Sequence, residues 1–336
     1  MAANLETINL KSFNCRGLRE RNKRNQIFTW LKTNHHGIIL LQETHSTTND
    51  EQIWKRDWEG DILYSHGLTN SRGVAILLPK DIDVKINSIQ KDSHGRIILI
   101  ECNVQSNSFV IANVYAPTKD KPREQLLFLE NLQHSLDKFS DKALIIGGDF
   151  NTYLNVSIDK KGGVSEQQSE YSQLLHGFCN DFSLVDIWRI RHENKPGFTR
   201  RQRTKCGLVQ SRLDFWLISV QLEYQAKHVK VTPGKSSDHS IITLEVELVE
   251  SHKRGKGLWK FNNELLTDQE YVHLIKDTIS NIKENINFKN KNTLWDYVKC
   301  EIRSQTLNFS IRKAKQMRKH EIELSNRLNI LEQNLS

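Results

Sequence analysis

The chain has 336 residues, enough for a domain of about 250 residues with an appendage, and its 37% hydrophobic content and mean hydropathy of -0.58 suit a protein that folds in water. No run approaches the roughly 18 apolar residues of a membrane span, and Met1 to Glu6 has neither the charged nor the apolar region of a secretory signal, so an intracellular protein without membrane contact is expected. Five scattered cysteines without a Cys-x-x-Cys pair exclude a disulfide framework and a zinc knuckle, while a net charge of +8 favours an anionic partner.

Residues 5 to 14 alternate imperfectly between apolar and polar and read as a strand ending at Asn14, before a Cys-Arg-Gly turn. Arg19 to Asn34 places Ile27, Trp30 and Leu31 on one face of an amphipathic helix. Gly37 to Leu41 is a buried strand that runs directly into Gln42 and Glu43. Five extended runs follow, at 61–65, 73–79, 82–89, 96–104 and 108–115, and their spacing implies antiparallel hairpins; the last ends at Tyr115 before Ala116-Pro117. Helical spacing returns at Arg123 to Phe139.

The run Ala143-Leu144-Ile145-Ile146-Gly147-Gly148-Asp149-Phe150-Asn151 reads as a covered strand that stops at two glycines, which allow a tight turn or a close approach to a ligand. Asp149 and Asn151 stand two apart and would share one face in extended geometry. Glu166 to Asp181 has helical spacing, and Leu184 to Trp188 leads into Arg189 to Arg212, which holds eight bases and one acid. Such a run is either a solvated face or a phosphate-contacting surface. Arg212 to Ile218 then reads as a strand with Asp214 in its buried register, and a buried carboxylate needs a partner. Lys227 to Thr232 and Ile241 to Val249 are the last strands, with Ser237-Asp238-His239 between them.

Ser251 to Gly257 is a basic, glycine-punctuated linker, which divides the chain into a first domain at 1–250 and an extension at 251–336. Asp268 to Glu284 and Leu294 to Leu335 have helical spacing. From residue 253 onward there are 16 lysines and arginines against 10 acids, whereas the preceding 252 residues carry 32 against 30. The extension is therefore a basic helical segment, either a weak nucleic-acid binder or a partner helix.

Asn14, Glu43, Tyr115, Asp149 with Asn151, Asp214 and Asp238 with His239 sit on or beside the ends of strands. This is the equipment of a metal-assisted phosphodiester hydrolase. A hard cation such as Mg²⁺, with Mn²⁺ as substitute, takes oxygen ligands, and Glu43 is the leading candidate. An oriented water and charge stabilisation on the phosphate oxygens complete the needs of phosphoryl transfer.

In order along the chain, Ser-Phe-Asn14-Cys-Arg-Gly, Leu-Gln-Glu43-Thr, Asn-Val-Tyr115-Ala-Pro, Gly-Gly-Asp149-Phe-Asn151, Arg-Leu-Asp214-Phe and Ser237-Asp238-His239 resemble the motifs of the endonuclease/exonuclease/phosphatase superfamily. The resemblance covers residues 5 to 249. It implies an α/β fold of four layers: two mixed, mostly antiparallel β-sheets packed face to face, with helices outside and the site where the loops meet. It also implies Glu43, Asn14 and Asp238 at the metal, Asp149 and Asn151 on the attacking water, His239 on the phosphate with Asp214 behind it, and Tyr115 as donor to a phosphate oxygen. Thr199, Arg200, Arg201, Arg203 and Ser237 would contact the DNA.

A finer resemblance is to the endonuclease that opens the reading frame of LINE-type, non-long-terminal-repeat retrotransposons. It rests on Asp159-Lys160-Lys161-Gly162-Gly163, Leu184-Val185-Asp186-Ile187-Trp188, Phe198-Thr199 and the segment Leu258 to Leu266, which looks like the lead toward a reverse transcriptase. No polymerase motif is present, so a fragment or truncated copy is expected. Arg200 departs from the pattern, since such enzymes often place tryptophan after the threonine. The resemblance implies a Mg²⁺-dependent endonuclease that nicks one strand of double-stranded DNA, acts in the nucleus as a monomer over residues 1–250, and touches the element RNA, if at all, through the basic tail. An abasic-site repair endonuclease and an inactive nucleic-acid-binding remnant are the alternatives.

Overall fold

The alternation of apolar side chains along the strands decides the layers. A computed structural model of the chain describes residues 7–67, 71–139, 141–163, 167–205, 207–248, 261–285 and 291–335. Its elements are β1 (Thr7–Asn14), α1 (Arg21–Asn34), β2 (Ile38–Gln42), α2 (Glu51–Trp58), β3 (Asp61–Ser65), β4 (Val74–Leu78), β5 (Val84–Lys91), β6 (Ile97–Val104), β7 (Asn107–Tyr115), α3 (Pro122–Leu136), β8 (Ala143–Asp149), α4 (Val156–Asp159), β9 (Lys160–Lys161), α5 (Glu170–Asp181), β10 (Leu184–Asp186), α6 (Ile187–Arg191), β11 (Arg200–Thr204), β12 (Gly207–Ser211), β13 (Asp214–Ser219), β14 (Ala226–Pro233), β15 (Ser240–Glu247), α7 (Gln269–Asn285) and α8 (Lys291–Leu335). They fall into two compact units, Met1–Lys253 and Arg254–Ser336.

The first unit holds two six-stranded sheets, ordered β14-β15-β1-β2-β4-β3 and β10-β13-β8-β7-β6-β5. Each contains one parallel pair, β1 with β2 and β7 with β8, among antiparallel neighbours, so both sheets are mixed. One face of each sheet turns toward the other. Ile8, Leu10, Ile38, Leu40 and Ile76 of the first sheet share a core with Ile98, Ile111, Ile145, Trp216 and Ile218 of the second. The opposite faces are covered by helices. Phe13, Leu41 and Leu77 pack with Ile27, Phe28 and Trp54 of α1 and α2, while Val110, Val114 and Ile146 pack with Phe128, Leu132 and Leu175 of α3 and α5. The result is the four-layer α/β sandwich, and strands covered on both sides, such as Ile38–Gln42, are wholly buried.

Local chemistry sets the boundaries. Glu20 caps α1 by accepting from the amides of Asn22 and Lys23, so the helix starts at Arg21 rather than at Arg19. Helix α2 was not expected. Its eight residues are too few to show a period, although Trp54 and Trp58, four apart, form its buried face. The glycines of β8 lie within the strand and do not turn the chain. A Cβ on Gly147 would stand 2.2 Å from the Trp216 ring, and one on Gly148 2.0 Å from the carbonyl oxygen of Val114, so both serve close packing within the sheet.

The basic stretch contains a hairpin, β11–β12, joined by β9 into a third, three-stranded sheet. Its side chains are mostly exposed on both faces, which leaves no apolar alternation for the sequence to display.

In the second unit α7 packs on α8 through Tyr271, whose hydroxyl bonds Thr306 at 2.7 Å and whose ring meets Phe309 edge-on. Lys313 reaches Asp268 at 3.0 Å. The linker Ser251 to Gly257 and the stretch Leu258 to Lys260 lie outside the described residues, as do the side chains of Leu328, Leu331 and Leu335. Among the described residues no helix is long and apolar enough to cross a membrane.

Candidate active site

Strand register gathers the residues. In the second sheet, Tyr115 pairs with Asp149 across the parallel β7–β8 ladder, and Asp149 pairs with Asp214 across the antiparallel β8–β13 ladder. Three chemically active side chains thus stand abreast. In the first sheet Asn14 pairs with Gln42, so the strand ends deliver Asn14 and Glu43 side by side. His239 immediately precedes β15, tied to the hairpin by a bridge with Arg200.

Directional contacts join the two sets. The Nδ2 of Asn14 donates to Glu43 Oε1 and to Asp149 Oδ2, each at 2.9 Å. Two carboxylates therefore converge on one neutral amide. The Tyr115 hydroxyl bonds Glu43, and burial together with the neighbouring carboxylates pushes its pKa up, so it stays a donor. His239 Nδ1 lies 2.9 Å from Asp214 Oδ2, while its Nε2 is 4.0 Å from Asp149 Oδ2. Asp214 has found the partner it requires.

Electrostatics follow from this burial. Removal from water works against the His239 imidazolium, but the adjacent Asp214, then Asp149 and Asp238, override it and raise the pKa to about 9. For Asp149, burial and then Asp214 push the carboxyl up to about 7, against the pull of His239 and the Asn14 bond. Glu43 and Asn151 hold left-handed backbones, with φ of 51° and 50°, a conformation that costs a non-glycine residue energy and recurs at functional sites. Asn151 donates its Nδ2 to the Ala116 carbonyl at 2.8 Å, and its own amide bonds Asp149 Oδ1 at 3.0 Å, which fixes both against the end of β7.

Other expected residues occupy different places. Thr199 is fully buried, and its hydroxyl accepts from the amides of Leu213 and Asp214, so it shapes the approach to Asp214 and has no surface to offer a phosphate. Ser237 donates to the Asn14 carbonyl at 2.8 Å and accepts from the amide of His239, strapping the two site segments together. Asp238 is not joined to Glu43: its carboxylate oxygens meet Arg16 at 3.6 Å and Arg200 at 3.2 Å, and His239 and then Arg200 hold its pKa down against burial. Arg200 is therefore partly engaged, Arg201 bonds Ser240, and Arg203 is exposed.

The basic stretch divides. Arg212, 1% exposed, bonds Asp159 and Asp186; Arg189 bonds Asp159; Arg191 is tied to the carbonyls of Glu223 and Ala226. These three hold the scaffold, and the other exposed bases are Lys195 and, on the hairpin and its turn, Arg201, Arg203 and Lys205.

Two residues went unnoticed in the sequence. Arg96 stacks its guanidinium 5.4 Å from the Tyr115 ring centre, donates to the Tyr115 carbonyl and is paired with Glu124. His45 places Nε2 3.9 Å from Glu43 Oε2. Only the position of His45, two residues beyond the acid, could have signalled it. His35 packs edge-on against Trp30, and burial lowers its pKa to about 4.

The Endonuclease/Exonuclease/phosphatase family matches residues 7–239 of this chain. The chain belongs to that family. A family member by this match, it is also 28% identical over 332 residues to the uncharacterized 149 kDa protein of transposon TX1 from Xenopus laevis, covering 98% of this chain and 25% of the relative. The chain thus spans about a quarter of that protein's length. In fold it is similar to the AP endonuclease LMAP from Leishmania major, with a TM-score of 0.64 at 16% identity, covering 73% of this chain and 89% of the other. The endonuclease domain of TRAS1, a telomere-specific non-LTR retrotransposon, gives a TM-score of 0.53 at 17% identity, covering 72% and 99%. The retrotransposon resemblance carried by the motifs therefore has a transposon protein beside it in sequence and a retrotransposon endonuclease domain beside it in fold.

The family implies a divalent metal, and the donors fit a hard one. Glu43 and Asp149 offer carboxylate oxygens that share one amide, a convergence of charge that a dication would relieve. Asp149, Asp214 and His239 also bring ligand atoms within 4.8 Å of one another. In that group His239 Nδ1 and Asp214 Oδ2 are already hydrogen-bonded at 2.9 Å.

Proposed function

We propose that the first unit is a Mg²⁺-dependent DNA endonuclease that nicks one strand and leaves a 3′-hydroxyl suited to priming reverse transcription. The observation that carries this reading is the convergence of Asn14, Glu43, Tyr115, Asp149 and His239 from two sheets onto one end of the sandwich. The family match and the transposon relative favour DNA as substrate. Acting on chromosomal DNA, it would work in the nucleus.

In this reading Glu43 and Asn14 hold the metal, Mg²⁺ or Mn²⁺, which when bound supplies positive charge to the phosphate oxygens. Asp149 orients a water and takes its proton as the water oxygen attacks phosphorus. Asn151 keeps Asp149 and the adjoining backbone in place. The bond from phosphorus to O3′ breaks with its electron pair passing to O3′, which gains a proton and becomes the 3′-hydroxyl. His239, charged and braced by Asp214, faces the phosphate oxygens as a donor, and Tyr115 gives a second hydrogen bond. Arg201 and Arg203 on the hairpin contact the DNA backbone, with Arg200 fixing Asp238 beside His239. Thr199 and Ser237 act one step back, through Asp214 and Asn14.

The test incubates the full chain and Mg²⁺ with supercoiled plasmid, an intact duplex and an abasic duplex, and sequences the ends. Nicks in the intact substrates with 3′-hydroxyl ends are expected. Activity confined to the abasic duplex would instead assign a repair endonuclease, a reading that the fold likeness to an AP endonuclease favours. Binding without any nicking would assign an inactive remnant.

A further inference from the structure

The residues of the site are divided between sheets: Asn14 and Glu43 end strands of the first, Tyr115 and Asp149 strands of the second. Apolar packing alone fixes the slide and gap between two sheets loosely, because hydrophobic burial is non-directional. Hydrogen bonds have direction. The inward-facing rows change character as they near the site. Ile8 and Leu10 are followed by Ser12 and Asn14, Ile38 and Leu40 by Gln42, and Phe109 and Ile111 by Asn113 and Tyr115.

Those polar residues bond one another across the gap. Gln42 Nε2 donates to Asn113 Oδ1 at 2.7 Å and to Ser12 Oγ at 3.0 Å. Asn113 Nδ2 donates to the carbonyls of Leu41 at 2.9 Å and Ala75 at 2.8 Å. One amide of the second sheet is thus held at three points of the first, and Ser12, Gln42 and Asn113 are fully buried.

We propose that Gln42 and Asn113 form an inter-sheet clasp, a pair of positioning residues that sets the distance from Glu43 and Asn14 to Tyr115 and Asp149. Each member sits one short step from what it positions. Gln42 precedes Glu43 and pairs in register with Asn14. Asn113 lies two residues before Tyr115 on the same strand and pairs with Gly147, two residues before Asp149. The clasp carries a penalty, since Gln42 Oε1 is buried without a partner among the described residues, and an unpaired buried acceptor destabilises a fold. A position serving packing alone would be better filled by an apolar side chain.

The inference rests on the nuclease reading of this site, and the experiment separates the two. Full-length Gln42→Met, Asn113→Leu and the double variant are compared with wild type for nicking kinetics, melting temperature and amide hydrogen exchange. Each single variant is expected to lower kcat by about 10- to 100-fold with KM within about threefold, the cost of a small misplacement of reacting groups. The double variant is expected to be no slower than the slower single, because coupled residues are not additive. It should also regain the wild-type melting temperature without regaining kcat, which a merely structural pair would not do. Exchange at the amides of Cys15, Gly17, Ala116 and Phe150, which close the strand ends, should quicken in all three variants while strand centres stay unchanged. Near-wild-type kcat in the double variant, or recovery of kcat together with melting temperature, overturns the clasp. If wild type nicks no DNA, the nuclease reading fails by itself, and unchanged exchange at those four amides then overturns the clasp independently.

Discussion

Two buried clusters of charge lie in the first unit, separated in sequence only by Leu213. One gathers Asp149, Asp214 and His239; the other gathers Asp159, Asp186, Arg189 and Arg212. The second is balanced, two carboxylates against two guanidiniums, with both Asp159 oxygens bonded by Arg212. The first is unbalanced, with two carboxylates about one imidazole and Asp214 Oδ1 lacking a partner among the described residues. The first is buried throughout, while Asp186 and Arg189 of the second are partly exposed. Each cluster leaves buried polar atoms without a partner among the described residues, Arg189 Nε and Arg212 Nη1 in one and Asp214 Oδ1 in the other. What differs is balance: in one the opposite charges neutralise each other within the scaffold, and the other holds perturbed groups beside Glu43, the mark of a functional site.

The largest effects should come from the unbalanced cluster, and on activity. Asp149→Asn and His239→Asn are each expected to lower nicking of supercoiled plasmid by about 10² to 10⁴-fold, with DNA affinity in a gel-shift assay little changed. Asp149→Asn should also leave stability unchanged or raised, because the buried carboxylate opposes its own ionisation. Wild-type turnover in either variant would remove these residues from the chemistry.

The balanced cluster should respond the opposite way. Arg212→Met leaves Asp186 without a cation and Asp159 with Arg189 alone, at a cost of about 3–5 kcal/mol in urea unfolding. A variant as stable as wild type would mean that Arg212 does not hold the scaffold by neutralising Asp159 and Asp186.

A pH series sharpens the contrast with a smaller effect. The His239 pKa is raised from its ordinary 6.5 to about 9, so its stabilisation is complete below 6.5 and is lost as pH rises through 9. Asp149, raised to about 7, adds in the same direction, since its ionisation between its ordinary value and 7 strains the fold. Melting temperature should therefore fall from pH 6 to pH 9.5 in wild type and fall less in the Asp149→Asn/His239→Asn double variant. Arg212, whose pKa is raised by Asp186 and Asp159 despite burial, stays charged throughout and contributes nothing to the slope.

The smallest effect tests the exposed bases. Arg203→Ala should weaken DNA binding evenly across sequences and reduce the slope of log affinity against log salt by about 1. Removal of residues 254–336 should leave kcat unchanged; an unaltered affinity and salt slope would show that the basic extension makes no contact with nucleic acid.

Much of this was legible in the chain itself. Strands covered on both faces announce themselves as unbroken apolar runs, and the site residues stand out because a carboxylate or amide ends such a run, as at Asn14, Glu43 and Asp149. The misses have physical causes. Helix α2 was too short for a period, the hairpin β11–β12 has no buried face, and Thr199 looked like a phosphate contact because its burial depends on strands far away in sequence. Arg189 and Arg212 looked like part of an exposed run, solvated or phosphate-contacting, for the same reason.

The sequence by itself determined the strand ends that carry chemistry and the motifs that resemble the family, and that resemblance implied the four layers. These depend on local periodicity and on residue types at fixed spacing. Only the tertiary structure decided that Asp214 belongs to His239, that Asp238 belongs to Arg16 and Arg200, and that Arg212 belongs to the scaffold. Partner choice among buried charges depends on which strands lie side by side, and register across 25 to 135 residues of chain is a property of the packed sheets alone.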